Sequence, residues 1–90
     1  MPVPDIDTVW ARITANAGSE FRMIEGAIFS YKIIAGAVAL DRTNQQIPKS
    51  HFDKALAFVP LENTTVITHL RGPAYLYAIL MDDRIRQIDW

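Results

Sequence analysis

The chain has no cysteine, which removes disulfides, cysteine-ligated zinc, iron–sulfur centres and thiol catalysis in one step. It also lacks an excess of charge of either sign. Nine Lys plus Arg stand against ten Asp plus Glu, so the bulk electrostatic drive of a dedicated nucleic-acid binder is missing and any basic surface must be local. No apolar run reaches the length of a membrane span, and Met1 to Asp5 show no basic segment leading into an apolar one. The expectation is a soluble, cytoplasmic protein with no membrane partner. Histidine is scarce, and His51 and His69 lie too far apart in sequence to make a local metal motif. No glycine-rich phosphate cradle follows a strand and no serine stands in a nucleophile elbow. Adjacent acids can in principle hold a metal, but Asp82 and Asp83 read more simply as partners of Arg84. The sequence therefore predicts no catalytic residue, no metal, no cofactor and no enzyme.

What is present is apolar content. Half of the 90 residues are hydrophobic, enough for one compact domain over residues 1–90 and too few residues for a second. At this size stability is marginal, and burying a patch against a second chain is a common remedy. From Ile6, apolar residues fall at Val9, Trp10, Ile13 and Ala17, one face of a helix with Asp5 placed as its cap and Gly18 as its end. Pro2 and Pro4 before the cap predict an extended N-terminal tail.

The period then changes. Phe29, Tyr31 and Ile33 alternate with Ile28, Ser30 and Lys32, as in a strand with one buried face. A two-residue turn at Ala35-Gly36 sets Ile33 opposite Val38, Tyr31 opposite Leu40 and Lys32 opposite Ala39. For the preceding turn a three-residue loop sets Phe21 opposite Phe29 and Met23 opposite Ala27, which predicts a bulge there. A three-stranded antiparallel meander results, with Phe21, Met23, Phe29, Tyr31, Ile33, Val38 and Leu40 inward. Its outer face is lightly basic: Arg22 and Lys32 with Ser30, Ala39 and Asp41, beside Ile28 and Ile34. Aromatic stacking on nucleic acid would need the aromatics on that outer face, so Phe29 and Tyr31 are assigned to the core.

Arg42 to Lys49 reads as a loop, and Ser50-His51-Phe52-Asp53 as the start of a short helix capped by Ser50, lined by Phe52, Ala55, Leu56 and Val59 and stopped by Pro60. The β-branched run Thr65 to Leu70 reads as a short fourth strand, with His69 flanking Ile67 or capping an edge. Pro73 to Asp83 carries nothing charged until Asp82, so a helix there must be covered on nearly every side. The expected fold is α+β: a three- or four-stranded antiparallel meander packed on one face by two or three helices, with the apolar C-terminal helix at the centre.

Two regions remain as candidate sites. Tyr75, Leu76, Ile79 and Leu80 suit the sheet, which leaves Ala74, Tyr77, Ala78 and Met81 as a second face. That face is covered within the monomer, by the helix around Trp10 or around Phe52, or it is an interface for self-association or for a protein partner. The other region is Arg42 to Lys54. Lys49, His51 and Lys54 surround the Ser50 helix start, where free amides suit phosphate. Arg42, Asn44, Gln45 and Gln46 extend the same segment with groups able to bond bases or sugars; an ordinary polar loop accounts for the same residues. The sequence favours a small non-catalytic binding or assembly module acting through the apolar helix, a homo-oligomer or partner-binding domain. The alternative is nucleic-acid or phosphorylated-ligand binding by Arg42 to Lys54, and a small-molecule pocket between sheet and helix is a third reading.

Overall fold

The computed structural model describes residues 4–90; the expected N-terminal tail lies, apart from Pro4, outside the described residues. Helix α1 spans Ile6–Ala15. Asp5 starts it as predicted, its Oδ1 accepting from the Thr8 amide at 2.8 Å, which satisfies one of the donors that a helix start leaves bare. Val9 and Ile13 are its buried residues. Ala17 lies beyond the helix and is exposed.

The meander forms with the predicted pairings but not as one sheet. Strands β1 (Phe21–Arg22) and β2 (Ile28–Phe29) make a two-stranded hairpin in which Phe21 faces Phe29, and the Met23 amide reaches the Ala27 carbonyl at 2.8 Å across the three-residue turn. Strands β3 (Tyr31–Ile34) and β4 (Ala37–Leu40) pair with Tyr31 opposite Leu40, Lys32 opposite Ala39 and Ile33 opposite Val38. Ser30 marks the division. Its amide donates to the Asp41 carboxylate at 3.0 Å, and a side-chain acceptor there replaces a ladder partner.

The third strand of the larger sheet is β5, Gln46–Pro48, antiparallel to β4 with Ile47 opposite Val38. This corrects the reading of Arg42 to Lys49 as loop throughout. With only Ile47 fully buried between exposed Gln46 and half-buried Pro48, the segment is too short to show alternation in sequence. Helix α2 spans Lys49–Leu56, with Pro48 as its N-cap and no side-chain cap. Ser50 is therefore a first-turn residue, not the cap; Pro48 is extended and starts the helix from strand β5 directly. The helix ends at Leu56, before Val59 and Pro60.

The predicted fourth strand is absent: Thr65–Ile67 is one turn of 3-10 helix. Asn63 Oδ1 accepts the Thr65 amide at 2.8 Å, a local side-chain turn that competes with β-propensity. Helix α3, Pro73–Leu80, follows Gly72 in the left-handed region. It stops three residues short of the expected end, and a separate short helix α4, Asp83–Arg86, begins after Asp82 caps the Arg84 amide. The result is α+β, with four α-helices and two small antiparallel sheets among the described residues.

One hydrophobic core unites these elements. Leu76, Ile79 and Leu80 of α3 are fully buried, and Tyr75 meets Phe29 edge-on at 5.0 Å, so this face of α3 lies against the hairpin as the pattern predicts. Trp10 and Phe52 pack on each other edge-on at 5.7 Å, joining α1 to α2. Tyr31 donates its hydroxyl to the Ile13 carbonyl at 2.5 Å, and burial raises the Tyr31 pKa well above its usual value. Arg12 bridges to Asp89 at 2.7 Å and donates to the Ile85 carbonyl at 3.0 Å, and the Trp90 indole donates to the Leu80 carbonyl at 2.8 Å. These bonds strap the last segment across α1 and α3. Among the described residues no helix is long and apolar enough to cross a membrane.

Candidate functional site

The second face of α3 opens on a cleft. Ala74 is exposed, Tyr77 and Met81 are half-buried and Ala78 is nearly buried. Tyr77, Ala78 and Met81 line a cleft of 390 Å³ together with Met23 and Ile24 of the hairpin and Asp82, Asp83 and Arg86 at the start and end of α4. Neither predicted cover, the helix with Trp10 or the helix with Phe52, borders this cleft. Its walls are the β1–β2 turn on one side and α4 on the other, while the Leu61 amide rests on Met81 Sδ at 3.3 Å. Ile24 is 67% exposed at the lip, a large aliphatic side chain held in water by the three-residue turn.

The walls are braced by Arg84. Its guanidinium grips Asp82 with Nε–Oδ1 at 2.9 Å and Nη2–Oδ2 at 3.0 Å, donates to the Glu20 carbonyl at 2.7 Å and lies 4.1 Å from the Phe21 ring centre. Planar, many-donor geometry lets one arginine satisfy all three partners. Burial pushes the Asp82 carboxyl up, but the hydrogen bonds and charge of Arg84 outweigh it and leave Asp82 below the usual carboxylate range. Arg84 is raised in turn, chiefly by its bond to Asp82. Arg86 is also engaged, bonding the Trp90 carbonyl oxygen. The remaining charges of the cleft are Arg22 on the hairpin wall and Asp83 on the α4 wall, neither of which has a counter-ion among the described residues.

The predicted anion segment is dispersed. Arg42 is exposed and points a guanidinium nitrogen at Met23 Sδ, 3.1 Å away. Asn44 is exposed in the turn, Gln45 is half-buried beside Gly72, and Gln46 opens β5. Lys49 is neutralised by Asp7 at 2.7 Å, and Ser50 is exposed without a capping role. His51 and Lys54 alone, one turn apart on α2, share a flank. They are joined there by two residues outside the predicted segment. The Arg71 amide donates to His51 Nδ1 at 2.9 Å, and the His69 ring stands edge-on to Phe58 at 6.3 Å. Burial, with the positive charges of Lys54, Arg71 and His69, lowers the His51 pKa.

The sequence missed His69 and Arg71 because a strand reading points them to unrelated places. It missed Ile24 because a single apolar residue in a turn carries no period. The outer sheet face forms only in part: Ser30, Lys32, Ala39 and Asp41 border a recess of 260 Å³ together with Tyr31 and Leu40, while Arg22, expected beside Lys32, sits on the separate β1–β2 hairpin and lines the cleft instead. Among the described residues no three His, Asp or Glu side chains converge as a metal site. No family model, curated protein or solved structure matches the chain.

Proposed function

We propose that the chain is a non-catalytic assembly module that pairs with a second copy of itself through the cleft between the β1–β2 turn and α3–α4. The observation that carries this reading is the composition of the cleft. Its floor of Met23, Tyr77, Ala78 and Met81 and its lip at Ile24 are apolar, and Arg22 on one wall and Asp83 on the other are of opposite sign. A two-fold interface must complement itself. An axis along the cleft lays each hairpin wall over the other copy's α4 wall, so that Arg22 meets Asp83 twice and each Ile24 enters the other copy's cleft. The apolar burial supplies most of the energy and the exposed ion pairs set the register.

Sedimentation analysis over a wide concentration range tests this. The expected mass rises from one chain of 10.2 kDa toward two. Ile24→Glu, at an exposed position, gives a folded monomer. Arg22→Glu and Asp83→Lys each weaken pairing, and together restore it in part. A wild-type mass of one chain at every concentration rejects the proposal.

A further inference from the structure

Lys54 and Arg71, with His51 and His69 beside them, form a patch with two cations that shares no residue with the cleft. Successive residues of a helix turn by about 100°, which sets His51 and Lys54 on one flank of α2, and Phe58 follows in the turn just past the helix end. Asp53 falls on the opposite flank, where Lys49 already pairs with Asp7. The Arg71 amide is fastened to His51, so the Arg71 side chain leaves from beside the imidazole. Its guanidinium reaches only the Gln46 carbonyl, at 3.5 Å, and neither Lys54 nor Arg71 has a carboxylate partner among the described residues.

The patch ends in an exposed aromatic. Phe58 is 43% exposed, with the His69 ring nearly perpendicular to it at 6.3 Å. Phe58 also lines a recess of 210 Å³ with Pro60, Leu61, Val66, Glu62 and Asn63. Asn63 spends its carbonyl oxygen on the Thr65 amide, which leaves its amide nitrogen as a donor, while the Glu62 carboxylate offers acceptors. Cations without counter-ions, an exposed aromatic ring and a recess with a donor and acceptors among its lining residues match the phosphate, the base face and the base edge of a nucleotide.

We infer that this surface binds single-stranded nucleic acid, with backbone phosphates on Lys54 and Arg71 beside His51 and a base stacked on Phe58. Stacking platforms joined to short basic tracks bind single strands with little sequence preference, and a near-neutral chain makes the affinity modest and strongly salt-dependent. Duplex is excluded as the ligand because its bases cannot reach Phe58.

Fluorescence anisotropy with a labelled oligouridylate, at low salt and along a salt titration, is the test. Wild type binds, and Lys54→Ala with Arg71→Ala lowers the log–log salt slope by roughly 1.4, about 0.7 for each phosphate no longer neutralised. Phe58→Ala weakens binding about tenfold or more, whereas Lys32→Ala, on the outer sheet face, leaves it unchanged. Ile24→Glu also binds as wild type does, which keeps this test separate from that of pairing. No binding at low salt overturns the inference. So does binding that is insensitive to Phe58→Ala and equally strong for duplex, because the patch is then a site for anions in general.

Discussion

Tyr31 holds two elements together through one atom. The last carbonyls of a helix have no partner inside it, and the Ile13 carbonyl of α1 takes the Tyr31 hydroxyl at 2.5 Å, while the Gly18 amide returns to the Tyr31 carbonyl at 2.9 Å. Tyr31→Phe keeps the ring packed and strips a buried carbonyl of its donor. The expected cost is about 1–3 kcal/mol in denaturant unfolding; an unchanged midpoint would show that water replaces the hydroxyl. His51 gives the second residue-level expectation. Its Nδ1 accepts the Arg71 amide only while the ring is neutral, and burial together with Lys54, Arg71 and His69 holds its pKa below the ordinary 6.5. Between those two values the unfolded chain binds more protons than the folded one, so stability rises with pH in that window. The contribution is complete above about pH 6.5 and is lost on acidification toward the folded value. Asp5 and Asp82, also lowered, act in a separate and more acidic window, below 3.8. Melting temperatures of His51→Asn, which keeps an acceptor but does not titrate, are expected to vary less between pH 7 and 5 than those of wild type. Parallel curves would assign the dependence elsewhere.

At the scale of elements, strand register was the most legible feature of the sequence. Phe21 opposite Phe29, Tyr31 opposite Leu40 and Ile33 opposite Val38 follow from side-chain alternation across a turn of known length, because a slip of one residue would expose every inward side chain. The faces of α3 were legible for the same periodic reason. What escaped depends on competition rather than period: Asp41 taking the Ser30 amide, Asn63 bending Thr65–Ile67 into a 3-10 turn, and Pro48 starting α2 without a side-chain cap. The residues of the candidate cleft divide alike. Tyr77, Ala78 and Met81 were named from the helix face, whereas Ile24 and Asp83 enter through a turn and the short helix α4 that periodicity does not reveal, and Arg22 was read from β1 alternation but assigned to the outer sheet face rather than to this cleft. The β3–β4 turn retains a local conflict, since Ala35 is held at a φ of 50° before Gly36 at 74°. A left-handed backbone costs an ordinary residue about 1–2 kcal/mol, and asparagine tolerates it best of the residues with side chains. Ala35→Asn is therefore expected to stabilise the protein by up to about 1 kcal/mol, read as a raised unfolding midpoint with an unchanged denaturant slope; a lowered midpoint would mean that the Ala35 methyl packs in a way its exposure conceals.

At the scale of the whole molecule, the core is already complete within one chain. Ile13, Ile47, Phe52, Ile67, Leu76, Ile79 and Ile85 are all fully buried, so the proposed pairing through the cleft would add to the stability of a chain whose core residues are already covered. This separates the proposed dimer from an obligate one, in which no folded monomer exists. A chain of 90 residues has little stability in reserve, so an added increment is measurable. Once pairing is populated, each tenfold rise in protein concentration contributes on the order of 0.7 kcal/mol per chain, half of the tenfold increment in an association constant. For a domain of this size that is roughly 3–5 °C in the melting temperature. Wild type should therefore melt higher as concentration increases and should level off at the monomer's value on dilution. Ile24→Glu should melt at that same value throughout, since the substitution removes the exposed lip of the cleft and leaves the core intact. A melting temperature independent of concentration in both proteins would place the apolar lip at Ile24 outside any self-association, whatever else it contacts.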